Sequence, residues 1–228
     1  YKYKKLNLHP EQIANGAFFA EYPRISWGFY EWRRRNAKQN KPHRGYDIVN
    51  KFIRERKGYV ITTNTDGYHL KSGSPSNNVV EIHGSMWSLQ RLDGLEEYVE
   101  ENNQAPLCDL DEETMTVSAE SIPRHNGSIL RPNILMFNDS CYVSNAAQKR
   151  QLQKILNTRI DAVLLIGSSN IVNTNLAFAK FYQQRRGSKI ICINPLPNQC
   201  YPVLNPDAYI QMTAKDALIS LYNLVKSN

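Results

Sequence analysis

The chain changes from helical to strand periodicity several times, and the first clear change comes within its first sixty residues. Tyr46, Val49, Phe52 and Ile53 recur at the spacing of one face of a helix. The short apolar run 59–61 follows them, and such a run is typical of a buried strand. This part of the chain therefore predicts a helix that leads into a strand.

The C-terminal third predicts a strand, a helix and a second strand. Residues 162–166 and 189–193 are continuous apolar runs, and residues 175–187 between them have helical character. Strands that are apolar at successive positions are typical of a parallel sheet covered on both faces. Further helices are predicted after Ser144 and after Thr213, because both residue types cap helix N-termini. We expect the last helix to bury one apolar face: Ala217, Leu218, Leu221, Leu224 and Val225. The fold class predicted is α/β with a doubly wound parallel sheet.

Between these regions the alternation of strand and helix patterns stops, and the sequence becomes acidic, as in the segments LDGLEEYVEENNQ and CDLDEET. We interpret residues 85–129 as a small inserted domain, and residues 1–84 together with 130–228 as the main domain. The insert has few apolar residues for a core of its own: Met86, Trp87, Leu89, Leu95 and Tyr98.

The composition is that of a globular protein and excludes a disulfide scaffold. Hydrophobic residues make up 41% of the 228 residues and charged residues 21%, and no apolar run is long enough to span a membrane. The four cysteines have no C-x-x-C spacing, so we expect a reducing compartment, the cytoplasm or a nucleus. The formal charge of +7 comes from scattered residues, without the basic stripe and interleaved aromatics of a nucleic-acid-binding protein. We therefore expect no nucleic-acid partner and no membrane partner.

Polar side chains follow three of the predicted strands at their C-terminal ends. Thr63, Asn64 and Asp66 follow the first strand, Gly167-Ser168-Ser169 follows a second, and Asn194 follows a third. In an open parallel sheet, ligands bind at these carboxyl ends. The Gly-Ser-Ser segment ahead of a helix suits a phosphate, and Asn194 suits ribose hydroxyls. Each segment also has an ordinary explanation as a turn, but together they predict a nucleotide cleft.

These segments resemble motifs of the sirtuin family. TTNTDGYHLKSG followed by VVEIHG is similar to that family's T-Q-N-I-D-x-L-H-x-x-A-G and E-L-H-G motifs. LRPNILMFND resembles L-R-P-x-V-V-x-F-G-E, GSSNIVNT resembles G-T-S-L-x-V-x-P, and IICIN resembles a strand that ends in I-N. The matches follow the family's order from about residue 25 to about residue 225. The resemblance implies a Rossmann-like NAD-binding domain, and an enzyme that uses NAD as co-substrate to remove acyl groups from protein lysines.

The resemblance also implies roles for single residues. Asn64 would stabilise the nicotinamide ribose as its bond to nicotinamide breaks, and Asp66 would hold the nicotinamide carboxamide. His83 would be the general base, drawing a proton through the ribose hydroxyls, since an imidazole titrates near neutral pH. The resemblance further implies two sets of binding residues. Those for NAD are Thr63, Asn64, Asp66, Gly167, Ser168, Ser169 and Asn194, and those for the substrate are Phe137, Asn138, Asp139, Ile171 and Val172.

The chain departs from the family pattern in the segments expected to line the ligand and substrate sites, at the metal site and at its start. Thr63 replaces a Gln, Asn138 replaces the Gly of F-G-E, and Thr174 replaces a Pro. The family's two C-x-x-C pairs are reduced to Cys108, with His125 at one position of the second pair, so we expect no zinc. The Gly-rich G-A-G-x-S loop does not occur in this sequence. Because a doubly wound sheet needs its first strand, we expect that loop and strand upstream of the first residue.

Three functions stay open at this point. The first is NAD-dependent lysine deacylation. The second keeps the same chemistry at the nicotinamide ribose but transfers ADP-ribose to a protein or to water, as the altered substrate walls suggest. The third is an inactive NAD-binding or interaction module. The first two differ in whether nicotinamide release requires an acylated peptide, and the third predicts NAD binding without turnover.

Overall fold

The computed structural model describes residues 8–95, 99–168, 174–196 and 204–226. The chain forms two compact units. The first unit comprises residues 1–41, 64–67 and 81–148, and the second unit comprises the remaining three stretches, 42–63, 68–80 and 149–228. The separate insert at 85–129 stays a prediction, because the first unit contains that region together with N-terminal helices.

The elements are numbered in chain order. The described helices are α1 (Pro10–Ile13), α2 (Gly16–Glu21), α3 (Pro23–Gln39), α4 (Arg44–Arg56), α5 (Tyr68–Lys71), α6 (Ala146–Asn157), α7 (Thr174–Arg186) and α8 (Ala214–Lys226). The described strands are β1 (Val60–Thr62), β2 (Val79–Glu81), β3 (Gly84–Arg91), β4 (Val99–Glu101), β5 (Leu110–Asp111), β6 (Thr116–Val117), β7 (Arg124–His125), β8 (Ser128–Ile134), β9 (Ala162–Ile166), β10 (Lys189–Ile193) and β11 (Ala208–Ile210). A 3-10 turn at Ser76–Asn78 precedes β2. No described helix is both long and apolar enough to cross a lipid bilayer.

The second unit is built on a parallel sheet with helices on both faces. Its strand order is β11-β10-β9, and Ile191 is paired with Leu164 on one side and with Ala208 on the other. Alternate residues of a strand point to opposite faces, so the continuous apolar runs supply two cores. On one face, Leu165, Ile190 and Cys192 pack with Leu176 and Ala179 of α7. On the other face, Leu164 and Ile166 pack against a cluster from α4 and α8: Ile48, Leu218 and Tyr222. The predicted doubly wound α/β fold is confirmed.

The first unit is built on an antiparallel sheet and the long helix α3. The sheet has the order β4-β3-β8-β7, with an irregular register between Ser85 and Leu89. Trp27 of α3 is fully buried, and its indole N–H donates to the carbonyl of Leu130 at 2.8 Å. Gly28 lies so close to β6 that a Cβ there would be 2.0 Å from the carbonyl oxygen of Met115. Glycine at this position therefore lets the helix backbone approach the strand.

Most predicted elements are confirmed, and two details are corrected. The helix predicted from Tyr46, Val49, Phe52 and Ile53 is α4, and the strand–helix–strand pattern of the C-terminal third is β9, α7 and β10. The cap of α6 is Asn145 rather than Ser144, since the Asn145 side chain accepts the N–H groups of Ala147 and Gln148. In α8 the last turn extends past the core, which leaves Leu224 62% exposed and Val225 39% exposed instead of buried.

Candidate functional site

The polar segment after β1 is held by hydrogen bonds to β3. The backbone N–H of Met86 donates to the carbonyl of Thr65 at 3.0 Å, and the Trp87 indole N–H donates to the carbonyl of Asp66 at 2.7 Å. Gly67 has a positive φ of 71°, and a Cβ there would lie 2.8 Å from the Trp87 ring. The backbone that carries Asn64 and Asp66 is therefore fixed, with Asn64 exposed and Asp66 half-buried.

His83 lies in the turn between β2 and β3, one residue before β3 begins. Its carbonyl accepts the N–H of Leu135 at 3.0 Å, which ties the turn to the end of β8. Gly84 follows with a φ of 77°, and a Cβ there would be 2.0 Å from the Asn133 carbonyl oxygen. Half-burial lowers the pKa of the His83 imidazole below its ordinary value, because burial disfavours the charged form. His83 is therefore largely neutral at pH 7.

Glu81 is a buried carboxyl group next to this turn, and it is not among the site residues predicted from the sequence. Its backbone N–H donates to the Gln148 side chain at 3.0 Å, and the residue is 8% exposed. Burial, and then the charge of Asp66, raise the pKa of Glu81 to about 7. The available signal was an acidic residue inside the apolar run VVEI immediately before His83.

The predicted substrate loop, Phe137-Asn138-Asp139, is anchored at both of its ends. Phe137 pairs with the N-terminal helices, since its N–H donates to Ala14 and its carbonyl accepts from Gly16, both at 2.9 Å. The Phe137 side chain is 45% exposed. Asn138, where the family has Gly, adopts the left-handed conformation with a φ of 48°. Asn tolerates this conformation better than most residues, so the loop keeps a backbone shape typical of glycine.

The second unit carries the other predicted NAD-binding residues at the ends of its strands. Asn194 is buried, and its amide is used twice: Nδ2 donates to the Ser168 carbonyl at 2.9 Å, and Oδ1 accepts the N–H of Leu196 at 3.0 Å. Gly167 has a φ of 62° and open space where a Cβ would be, so its backbone is accessible. The hydroxyl of Thr63 accepts the Asn175 side-chain amide at 3.2 Å. Asn194 thus links the ends of β9 and β10, while Ser169, Ile171 and Val172 lie outside the described residues.

Comparison with known proteins assigns the family. The model of the Sir2 family matches residues 2–174. An NAD-dependent protein deacylase of Deinococcus radiodurans is 31% identical over 208 residues, which are 88% of this chain and 75% of that protein. The chain belongs to the Sir2 family.

Further matches agree with this assignment. A second Sir2-type relative, an NAD-dependent protein deacylase of Aquifex aeolicus, is 27% identical over 190 residues, 82% of this chain and 71% of that protein. The crystal structure of a Sir2 homologue in complex with NAD superposes with a TM-score of 0.78 at 24% identity, covering 96% of this chain and 78% of that one. The resemblance to sirtuins noted in the sequence, and the fold it implied, are therefore confirmed.

Within this Sir2 chain, the structure divides the predicted site residues between the two units. The first unit contains Asn64, Asp66 and His83 together with the loop 137–139, and the second contains Thr63, Gly167, Ser168 and Asn194. The roles of these residues stay predictions.

The region that holds zinc cysteines in other sirtuins has a different interior here. Cys108 is buried, burial raises the pKa of its thiol to about 12, and its carbonyl accepts from Arg35 at 2.8 Å. Ile122, at one of the other cysteine positions, is buried as well, while His125 is half-buried on β7. In the described ranges, no three His, Cys, Asp or Glu side chains lie close enough together to hold a metal ion. The expectation that the chain binds no zinc stays a prediction.

Proposed function

We propose that this chain is an NAD-dependent protein deacylase, which cleaves NAD to nicotinamide and transfers the acyl group of an acylated lysine to ADP-ribose. The observation that carries this proposal is the pair of segments 64–67 and 81–84, which lie in one compact unit and are both tied to the β3–β8 sheet. Membership of the Sir2 family, and relatives named NAD-dependent protein deacylases, support it.

His83 is the proposed general base. A base must be unprotonated before it can take a proton, and burial favours the neutral imidazole at pH 7. The backbone of His83 and Gly84 is fixed by two contacts. The N–H of Leu135 donates to the His83 carbonyl, and Gly84 lies close to the Asn133 carbonyl. The imidazole can therefore take a proton from a ribose hydroxyl of NAD without rearranging the chain.

Asn64 and Asp66 are the proposed partners of the nicotinamide ribose and of the nicotinamide carboxamide. Their backbone is held by bonds to Met86 and Trp87. An amide dipole and a carboxylate that are fixed in advance stabilise developing charge without a reorganisation cost at the moment of reaction. This fits a step in which the bond between the ribose and nicotinamide breaks and positive charge develops on the sugar.

The remaining predicted residues are proposed to bind rather than to react. Thr63, Gly167, Ser168 and Ser169 would contact NAD through hydroxyl and backbone groups. Asn194 would hold the backbone at Ser168 in place, since its side-chain Nδ2 and Oδ1 are both used in hydrogen bonds within the chain. For the acylated protein, Phe137 offers an exposed ring and Asn138 an exposed backbone turn. Ile171 and Val172 complete the proposed substrate set.

The test is nicotinamide release from NAD by the full-length protein, with and without a mixed library of acyl-lysine peptides. We expect release that requires peptide and falls about 10²-fold to 10⁴-fold in His83→Ala, the usual contribution of a general base. Asn64→Ala should also lose release. Matched controls are His125→Ala and Asn77→Ala, which change the same residue types outside the proposed site and should keep the activity.

Two outcomes would replace this proposal with the alternatives. Release without peptide, lost in the same two variants, would indicate NAD hydrolysis or transfer of ADP-ribose to a protein. NAD binding without release under either condition would leave an inactive binding module.

A further inference from the structure

Charge is divided unequally between the two units. The second unit contains 16 Lys and Arg residues but 5 Asp and Glu residues, whereas the first contains 12 and 16. The formal charges are therefore +11 and −4, which together give the +7 of the whole chain. A charge of +11 on about half of the chain creates a strong positive potential around the second unit.

Half of these cations lie in α6, in α7 and in the segments that follow these two helices. We call the following eight residues the basic layer: Lys149, Arg150, Lys154, Arg159, Lys180, Arg185, Arg186 and Lys189. All eight are exposed, and the only acidic residue between positions 149 and 189 is Asp161. The basic layer therefore has a net charge of +7 with Asp161 included.

Two hydrogen bonds connect α6 and α7. The Tyr182 hydroxyl of α7 donates to the carbonyl of Ile155 at 2.7 Å, and Arg186 donates to the carbonyl of Leu156 at 3.4 Å. Both hydrogen bonds join the C-terminal part of α6 to the C-terminal part of α7, close in sequence to Lys154, Arg159, Arg185 and Arg186. In the sequence the two helices are separated by β9, which is why no continuous basic run is visible there.

Little of this charge is neutralised within the chain. Arg159 lies 3.7 Å from Asp161, but both side chains are almost completely exposed, and Lys189 lies 2.8 Å from Asp207. Among the described residues, the other six cations of the basic layer have no carboxylate within 4.0 Å. Like charges on the surface of one unit repel one another, and an anionic partner would relieve that repulsion.

The basic layer lacks the features of a protein or membrane interface. None of the large exposed hydrophobic side chains of the described chain lies between residues 146 and 189. Protein interfaces depend on buried aromatic or aliphatic anchors, and stable attachment to a membrane needs apolar groups that insert. A phosphate backbone needs neither, because its binding comes from charge neutralisation and release of counterions.

We propose that the basic layer binds the phosphate backbone of double-stranded nucleic acid without reading its sequence. Helices of 12 and 13 residues are about 18 and 20 Å long, which matches roughly five base pairs of duplex. No residue of the basic layer is among the proposed deacylase residues. The proposal departs from the expectation, drawn from the sequence, that the chain has no nucleic-acid partner.

The test measures binding of the full chain to a fluorescein-labelled 20-base-pair DNA duplex of mixed sequence, by fluorescence anisotropy between 20 and 200 mM salt. We expect a Kd of roughly 10⁻⁴ to 10⁻⁶ M near physiological salt and tighter binding below it. The logarithm of the binding constant should fall linearly with the logarithm of salt, with a slope of about −0.9 for each phosphate neutralised.

Two variants of equal net charge separate the basic layer from charge in general. The first carries Lys149→Gln, Arg150→Gln, Lys154→Gln and Lys180→Gln, and the control carries Arg44→Gln, Arg56→Gln, Lys71→Gln and Lys215→Gln. All eight positions are exposed in the second unit, so both variants should keep the wild-type melting curve. We expect the first variant to lose roughly tenfold or more in affinity and to flatten the salt slope by about 3 to 4, while the control stays within about twofold.

Three results would overturn the proposal. One is the absence of duplex binding by the wild type at 20 mM salt. Another is an equal loss in both variants, which would mean that only net charge matters. The third is that vesicles of phosphatidylcholine and phosphatidylserine, or poly-glutamate, bind the basic layer as tightly as the duplex does, which would assign the surface to a membrane or to an acidic protein.

Discussion

Arg131 and Asp139 form a bidentate ion pair inside the first unit, and both side chains are 1% exposed. Nη1 of Arg131 lies 2.8 Å from Oδ2, and Nη2 donates to Oδ1 at 3.0 Å. The same carboxylate accepts the backbone N–H groups of Met136 at 3.2 Å and Cys141 at 3.1 Å. Asp139 therefore holds the loop that carries Phe137 and Asn138. The sequence predicted Asp139 to bind substrate, and its contacts give it a structural role.

We predict that Asp139→Ala lowers the free energy of unfolding by about 3 to 5 kcal/mol, because it leaves the Arg131 guanidinium buried without its carboxylate. Chemical denaturation of the variant and the wild type measures the difference. Asp161→Ala is the matched control, since its ion pair with Arg159 is exposed and should contribute little. Equal stability losses in the two variants would contradict this account of the buried pair.

The activity should depend on pH through His83, with the neutral form active. Burial lowers the pKa of the imidazole from its ordinary 6.5. Activity should therefore persist at lower pH than an exposed histidine would allow, and the acidic limb of kcat/KM should have its midpoint below 6.5. Because Glu81 titrates near pH 7 beside the same turn, the profile is best measured in Glu81→Gln. A midpoint at or above 6.5 in that variant would exclude His83 as a half-buried general base.

Local patterns in the sequence predicted the helices and parallel strands well, because their periodicity and caps depend on neighbouring residues. Burial depends on the whole fold, and there the predictions were weaker. Leu224 and Val225 continue the apolar face of α8 in the sequence but extend past the core that Leu218 and Tyr222 complete.

Features that depend on contacts between distant segments could not be read from the sequence. Nothing in the sequence distinguishes the carboxylate of Glu81 from those of other acidic residues. Only the fold buries it near Asp66. In the same way, the hydrogen bonds by which Tyr182 and Arg186 connect α7 to α6 join segments that are far apart in the sequence. Asn64, Asp66 and His83 were singled out because the short segments that contain them resemble the family's motifs in the same order, and their roles stay predictions.

Glu81 should make the protein less stable as pH rises towards neutrality. Its pKa is 4.5 when exposed and about 7 in the folded chain, so between these values the folded state holds a proton that the unfolded state releases. The stabilisation is present below pH 4.5 and is lost as pH rises through about 7, a change of about 3 kcal/mol.

Unfolding of wild type and Glu81→Gln between pH 4 and pH 8 isolates this effect from other titrating groups. The amide stays neutral, so the variant should gain stability relative to the wild type as pH rises. Asp66→Asn removes the nearby charge and should move the Glu81 transition to lower pH. Parallel stability curves for wild type and Glu81→Gln would show that Glu81 titrates normally.

Arg34 should hold β3 and the segment after β4 together. Its guanidinium is fully buried, lies 5.0 Å from the centre of the Trp87 ring, and donates to three backbone carbonyls, those of Met86, Asn102 and Gln104. These carbonyls belong to β3 and to the segment after β4, so one side chain joins two separate parts of the first unit.

We predict that Arg34→Met lowers the free energy of unfolding by about 3 kcal/mol or more, because three carbonyls lose their donor. Arg34→Lys should restore little, since an ammonium lacks the planar fork that reaches all three. Lys38→Met, on the same helix but exposed, should cost much less. Hydrogen exchange should localise the Arg34→Met effect to residues 99–118, and EDTA should leave the wild-type Tm unchanged. A drop in Tm on chelation would show instead that a bound metal holds this region, and the arginine would then be a secondary support.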